Sequence, residues 1–146
     1  MEYRKMGNVY AVRIDRGEEV LACLSELAEK EKIETASVEG IGAADLVEMG
    51  LYDVKTQKYM SGVKEEPLEI TSLLGNITRS EGRPYLHLHI TVADQDHHTF
   101  GGHLNRARIG GTCELFVTVY DGAIGRKKDT ETGTGQNLFA FRNNRG

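Results

Sequence analysis

The clearest structural signal in the sequence is the segment Tyr85-Leu86-His87-Leu88-His89-Ile90-Thr91-Val92. Apolar and polar residues alternate along it, which is typical of a β-strand whose two faces lie in different environments. The aliphatic side chains are therefore predicted to face a core, while Tyr85, His87, His89 and Thr91 face the opposite side. Because such a strand must pair with others to bury its apolar face, the segment predicts a β-sheet.

Other β-like segments lie on both sides of this strand. The patterns predict strands at 9–14, 35–38, 46–53, 58–63, 68–78 and 113–120. Residues 46–53 and 58–63 are expected to form a hairpin. The polar residues 94–99 predict a loop.

One amphipathic helix is predicted near the N-terminus, from about Gly17 to Lys30. Asp15 followed by Glu18 resembles a capping box at its start. The apolar residues of one helix face are Val20, Leu21, Leu24, Leu27 and Ala28. The predicted fold is therefore α/β, of the α+β type, with a mixed, largely antiparallel sheet and one main N-terminal helix.

Length and composition predict one compact domain spanning residues 1–146. A chain of 146 residues with 39% hydrophobic and 27% charged residues can bury a sizeable core without disulfides. No apolar run is long enough for a membrane span, and no apolar segment follows the N-terminal cations, so a cytoplasmic protein is expected. Cys23 and Cys113 form no Cys-x-x-Cys pair and are predicted to be buried thiols in a reducing compartment.

The charge balance argues against a protein that binds DNA through a large basic surface. Eighteen basic and twenty-two acidic residues give a formal net charge of −4. Proteins that bind the phosphate backbone usually carry a basic excess. The net negative charge makes DNA binding by this chain alone less favourable, although it does not exclude a local basic patch.

The histidines predict a metal site. His87 and His89 should lie on one strand face, about 6–7 Å apart along the chain. Thirteen residues separate His103 from His89, and His103 comes directly after Gly101-Gly102, a spacing that lets the chain turn and return beside the first strand. Three neutral imidazoles with an open fourth position are common in catalytic zinc sites, and imidazole also suits copper, nickel and iron. Zinc or another divalent transition metal is therefore the predicted cofactor.

Simpler roles are also open for these residues and their neighbours. A His-x-His pair on a half-exposed strand often serves only as hydrogen-bonding groups, and His97 and His98 are predicted to be solvated loop residues. The sequence contains no nucleophile elbow, Walker A motif or complete dinucleotide fingerprint. The carboxylates that could support a metal or act as bases are Glu39, Glu69, Asp94 and Glu114.

The segment from Leu86-His87-Leu88-His89 through Asp94 to Gly101-Gly102-His103-Leu104 resembles the signature of the plants-and-prokaryotes conserved (PPC) domain. Further similarities occur in the order found in the family, and the resemblance as a whole covers about residues 8–141. They are the helix start at Gly17, Val38-Glu39-Gly40-Ile41-Gly42-Ala43, Leu68-Glu69-Ile70 with Gly75, and Arg126, Asp129, Thr132 and Gly133.

The resemblance implies a compact homotrimeric domain and, in the prokaryotic branch, a three-histidine metal site at His87, His89 and His103. Plant members of the family carry an AT-hook and bind DNA, and prokaryotic members are often described as DNA-binding by analogy. The only Gly-Arg-Pro of this chain, Gly82-Arg83-Pro84, follows Glu81 in a predicted turn. It therefore departs from a hook, which needs flanking cations on a flexible segment.

Two functions follow from these expectations. The first is a metal-binding homotrimeric PPC-like domain that engages DNA or acts in regulation. The alternative is a zinc-dependent enzyme that acts on a small carbonyl or ester substrate and is similar to acetolactate decarboxylases in fold and ligand set. Because fold does not fix function, the sequence leaves enzymatic activity open, with a small molecule at the metal expected in the second case.

Overall fold

The structure is a computed structural model that describes residues 1–141. It contains one helix and nine strands over these residues. They are β1 (Glu2–Met6), β2 (Val9–Asp15), α1 (Val20–Lys30), β3 (Ala36–Asp53), β4 (Lys58–Lys64), β5 (Leu68–Ser80), β6 (Arg83–Ala93), β7 (Thr99–Val119), β8 (Gly125–Lys128) and β9 (Asn137–Ala140).

Seven of the strands form one sheet in the order β1-β2-β7-β6-β5-β3-β4. A further pairing of β7 with β3 joins β3, β5, β6 and β7 into a closed ring. Bulges near Gly40 to Gly42 bend β3 so that it can pair with both β5 and β7. Glycine is needed there, because a Cβ on Gly42 would lie 2.5 Å from the carbonyl oxygen of Thr112.

The sheet corrects the predicted fold class. Among the described residues the chain is largely β with a single helix, so the α/β label fits only loosely. The named strand pairings are all antiparallel, which confirms the largely antiparallel sheet, but its predicted mixed character is wrong. The predicted strands 35–38 and 46–53 are one strand, and β7 begins at Thr99 instead of residue 113. Glycines and polar residues interrupt the alternation there, but the bulged backbone continues its pairing.

Helix α1 begins three residues later than predicted. Glu19 is its N-cap, and its carboxylate accepts hydrogen bonds from the backbone N–H groups of Leu21 (3.1 Å) and Ala22 (2.7 Å). The carboxylate of Glu18 instead accepts from the N–H of Asp15 at 2.8 Å, within the turn that precedes the helix. No helix in residues 1–141 is both long enough and apolar enough to cross a membrane.

The core lies between α1 and the inner face of the sheet. Leu88, Ile90 and Val92 of β6 are buried and Leu86 is partly buried, which confirms the predicted alternation. The buried residues of α1 are Val20, Cys23, Leu24, Leu27 and Ala28. The two cysteines are buried and unbonded, as predicted, and burial raises the pKa of Cys23 to about 11 and of Cys113 to about 12.

Candidate metal centre

Three histidines meet on the outer face of the sheet. His87 and His89 lie two residues apart on β6, and His103 of β7 is the direct cross-strand partner of His89. The imidazole centroids are separated by 5.3 Å (His87–His89), 5.2 Å (His87–His103) and 5.6 Å (His89–His103). One nitrogen from each ring lies within 4.8 Å of the other two. The structure therefore brings together the three side chains that the sequence singled out.

The double glycine before His103 explains how β7 reaches this position. Residues 99–103 pair with β6, while His103 is also opposite Gly50 of β3. A Cβ on Gly102 would lie 2.7 Å from the carbonyl oxygen of Gly50, so a larger residue would push β7 away from β3. The close backbone approach expected from Gly101-Gly102 is thus present at Gly102.

The surroundings of the cluster favour neutral imidazoles. Burial lowers the pKa of His87 below its ordinary value, and the nearby charges of His103, His89 and Arg126 lower it further. Burial likewise lowers the pKa of His103, with a smaller contribution from His89. His89 is the exposed member. Neutral nitrogens that can be reached from solvent suit a metal ion.

Sequence reasoning did not identify the polar neighbours of the cluster. The ring of Tyr59 lies edge-on to His103 with centroids 6.3 Å apart, and its hydroxyl donates to Asn105 Oδ1 at 2.8 Å. Asn76 of β5 is the cross-strand partner of His87 and accepts a hydrogen bond from Arg126. Of these residues, only Arg126 was indicated by the sequence, through the family resemblance. The others are cross-strand neighbours, which depend on long-range pairing that a local pattern does not show.

His97 and His98 lie outside the cluster and are exposed, as predicted. They belong to the turn between β6 and β7, where Asp94 Oδ1 accepts hydrogen bonds from the N–H groups of Asp96 and His98 at 2.9 Å each. Asp94, Asp96 and His98 also place ligand atoms within 4.8 Å of one another. The turn itself accounts for this proximity, so Asp94 serves as a turn-closing residue.

The other candidate carboxylates lie on β3, β5 and β7. Glu39 of β3 is opposite Leu74 of β5, which is opposite His89, so two strand spacings, about 10 Å, separate Glu39 from His89. Glu69 is opposite Ala93 at the far end of β6, and Glu114 is opposite Arg13 on β2. Their strand positions set all three carboxylates apart from the imidazole cluster.

Several solved structures of bacterial and archaeal proteins are similar to this chain over nearly their whole length. A candidate DNA-binding protein from Bacteroides thetaiotaomicron has 34% identity and a TM-score of 0.92, covering 96% of each chain. A metal-containing protein from Archaeoglobus fulgidus has 31% identity and a TM-score of 0.86, covering 96% of this chain and 97% of that one. A comparison with curated proteins finds no match.

The expected similarity to acetolactate decarboxylases is present at the level of fold. The enzyme from Bacillus subtilis has 14% identity and a TM-score of 0.59, and the match covers 84% of this chain and 56% of that enzyme. An identity this low shows a shared fold alone.

The family itself is established by sequence. The pattern of the Plants and Prokaryotes Conserved domain matches residues 1–121, which include β1 to β7 and all three clustered histidines. The bacterial and archaeal structures, each more than 30% identical, agree with the prokaryotic branch that the resemblance indicated. The chain therefore belongs to the Plants and Prokaryotes Conserved (PCC, also written PPC) domain family.

Proposed function

We propose that this protein binds one divalent transition metal, with zinc as the first choice, through His87, His89 and His103. The observation that carries the proposal is the convergence of three imidazole nitrogens within 4.8 Å of one another. The donor set fits zinc, which takes neutral imidazole nitrogens, and the lowered pKa of His87 and His103 keeps their rings neutral. When bound, the metal would polarise an oxygen donor or acidify a water molecule.

Elemental analysis of the purified protein tests this proposal directly. After loading with zinc and gel filtration, we expect about one metal ion per chain, because the three histidines form one cluster. Separate loading with cobalt, nickel and copper ranks the metals. Failure of all four ions to stay bound would contradict the proposal.

The pH dependence of metal binding should reflect the lowered pKa of His87 and His103. Protons compete with the metal for the neutral imidazole, so affinity falls as the pH drops through the pKa of the ligands. Because these pKa values lie below the ordinary 6.5, most of the metal should stay bound at pH 6.5 and leave at lower pH. Equilibrium dialysis between pH 7.5 and 5 measures this, and half-release above pH 7 would contradict it.

We further propose that the protein is a homotrimer, as the family resemblance implies. One exposed apolar surface, the sheet patch, consists of Ile41, Leu74 and Phe116, with exposed fractions of 59%, 53% and 49%. Leu74 and Phe116 lie on the two strands that flank β3, one on each side of the exposed Glu39, so both share its sheet face. Apolar side chains on one open sheet face favour contact with another protein surface.

A second exposed apolar surface lies on the β3–β4 hairpin. This hairpin arm consists of Leu51 and Met60, which are opposite each other and therefore lie on one face of the hairpin, whereas Tyr59 and Val63 lie on the other face. A cyclic trimer uses two different surfaces of each subunit, one from each side of the contact. The sheet patch and the hairpin arm supply two such surfaces, which supports a trimer made of identical contacts.

Light scattering after gel filtration should give about three times the 16.2 kDa mass of the chain. Phe116→Glu places a charge in the sheet patch and should shift the protein toward monomers, because burying an unpaired carboxylate is unfavourable. Ala22→Glu adds the same charge on the exposed side of α1 and should leave the mass unchanged. A wild-type monomer at micromolar concentration would contradict the trimer.

DNA binding is the second candidate function, and its support is the description of the Bacteroides relative. The net charge of −4 lets us expect only weak binding to random duplex DNA, lost between low salt and a physiological ionic strength of about 0.15 M. Fluorescence anisotropy with a labelled duplex measures the affinity at each salt concentration. Nanomolar, sequence-dependent binding at physiological salt would contradict this prediction.

The zinc-enzyme alternative has one structural argument in its favour. His89 is exposed, so a small solute could reach the clustered imidazoles from outside the sheet. Assays with small carbonyl and ester substrates, with and without a chelator, test this alternative. Enzymatic activity, the single domain spanning 1–146 and the cytoplasmic location stay predictions.

A further inference from the structure

Arg126 of β8 is anchored on the strand next to the histidine cluster. Its Nε donates to Thr78 Oγ1 at 2.8 Å and its Nη2 to Asn76 Oδ1 at 2.5 Å, both on β5. Its Nη1 donates to the carbonyl oxygen of Asn137 on β9 at 3.2 Å. These hydrogen bonds hold a half-buried guanidinium in one orientation.

Two contacts place this guanidinium beside His87. Asn76 is the cross-strand partner of His87, and such partners have Cβ atoms about 5 Å apart. Tyr85 lies two residues before His87 on the same face of β6, and the guanidinium carbon of Arg126 is 4.6 Å from the centre of its ring. Arg126 therefore lies along the edge of the cluster that His87 forms. The lowering of the His87 pKa by the Arg126 charge agrees with this position.

The positive charge of Arg126 has no carboxylate partner among residues 1–141. Arg13, Arg79 and Arg108 each form an ion pair with aspartate or glutamate, whereas Arg126 forms none with a described residue. The other unpaired arginines of the described chain are exposed to water: Arg4, Arg16, Arg83 and Arg106. Arg126 is thus the half-buried arginine whose charge the described protein does not neutralise.

Two N–H groups of the guanidinium have no hydrogen-bond partner among residues 1–141. Three of its five N–H groups are used, which leaves one on Nη1 and one on Nη2. The ring centres of Phe139 and Tyr85 lie 4.4 Å and 4.6 Å from the guanidinium carbon, so aromatic rings also pack against this group. An arginine edge with two free donors matches the paired oxygens of a carboxylate or a phosphate.

We propose that Arg126 forms an oxyanion subsite beside the three histidines, which binds the carboxylate or phosphate group of a small molecule. This subsite extends the proposed metal site to a ligand. It rests on that proposal at one point, namely that a second oxygen of the same molecule would bind the metal. The ligand class is a small organic acid or phosphate that carries an additional oxygen donor. Asn76, Thr78 and Asn137 act as positioning residues, because they fix the orientation of the guanidinium.

The test is calorimetric titration of the zinc-loaded and metal-free protein with two probes, pyruvate for carboxylates and inorganic phosphate for phosphates. At least one probe should bind the wild-type protein, and Arg126→Gln should weaken that binding by roughly tenfold or more, since charge-assisted hydrogen bonds are the strong ones. Arg83→Gln removes an exposed arginine from the start of β6, the strand that carries His87 and His89, and should change the affinity little. The probe that binds more tightly identifies the charged group.

Two further measurements keep the test decisive if Arg126→Gln unfolds. Arg126→Lys retains the charge but lacks the paired N–H donors of a guanidinium, so its affinity for the probe should fall between those of the wild type and Arg126→Gln. In the isotopically labelled wild type, the Arg126 guanidinium resonances should shift when the probe is added. The absence of probe binding, unshifted resonances, or an equal loss of affinity in Arg83→Gln would overturn the proposal.

The metal content of each variant separates the two proposals. Arg126→Gln should keep the zinc of the wild type, because Arg126 is not a ligand. Arg126-dependent probe binding in a chain that holds no metal would uphold the subsite and refute the metal site. Zinc binding with equal probe affinity in wild type and Arg126→Gln would refute the subsite and uphold the metal site.

Discussion

Replacing His87, His89 or His103 with alanine should each remove nearly all bound metal. This cluster consists of three imidazoles among the described residues, so each substitution takes away a third of its protein donors. Changes outside the ligand shell of metal sites already lower affinity about 10–100-fold, and loss of a ligand should exceed that. Elemental analysis after dialysis, together with competition against a chromogenic chelator, measures both content and affinity.

His97→Ala and His98→Ala are the matched controls for these variants. Both histidines are exposed in the β6–β7 turn, outside the cluster, so their metal content should equal that of the wild type. The fold should survive metal loss, because the buried core is built without the three histidines. Circular dichroism of the metal-free variants checks this. Equal metal loss from the control variants, or full occupancy after His103→Ala, would refute the assignment.

Gly75→Ala should destabilise the protein by about 3 kcal/mol or more, at the upper end of the range for overpacked interiors. Gly75 of β5 is opposite Leu88 of β6, and a Cβ there would lie 2.1 Å from the carbonyl oxygen of His87. It would also lie 2.7 Å from the Cα of Leu88, and both are backbone atoms that cannot rotate away. The β5–β6 pair must therefore separate, and β6 carries two of the three histidines.

Gly62→Ala on β4 is the control for this substitution. Apart from its own chain neighbours, no described residue places an atom within 4 Å of a Cβ at Gly62, so the same added methyl group should change the free energy of unfolding little. Urea unfolding of the two variants and the wild type gives the comparison, and zinc affinity gives a second readout. A Gly75→Ala protein as stable as Gly62→Ala would show that β5 and β6 separate at almost no energetic cost.

The secondary structure that the sequence predicted well consists of elements with a local signal. The alternation of Leu88, Ile90 and Val92 with His87 and His89 reports burial residue by residue, and β6 has that burial. The spacing of Leu24, Leu27 and Ala28 likewise marked the buried face of α1. In both elements the period of apolar residues follows directly from backbone geometry.

The sequence prediction missed elements that depend on distant partners. Strand β1 (Glu2–Met6) has charged residues at three of its five positions and lies at the edge of the sheet, so only its pairing with β2 defines it. The long course of β7 is likewise hidden, since glycines and polar residues break its pattern while pairing with β3 continues. The antiparallel arrangement of the sheet is a property of these pairings, which no local pattern contains.

The same division applies to the candidate site. The His-x-His spacing on a strand and the glycines before His103 are local features, and they sufficed to name all three clustered residues. Which side chains surround the cluster was set by register: Asn76 meets His87 across β5 and β6, and Arg126 approaches from a hairpin far along the chain. Strand geometry fixes the direction of a side chain from its own sequence, whereas its neighbours come from chain segments whose pairing is settled only when the whole sheet closes.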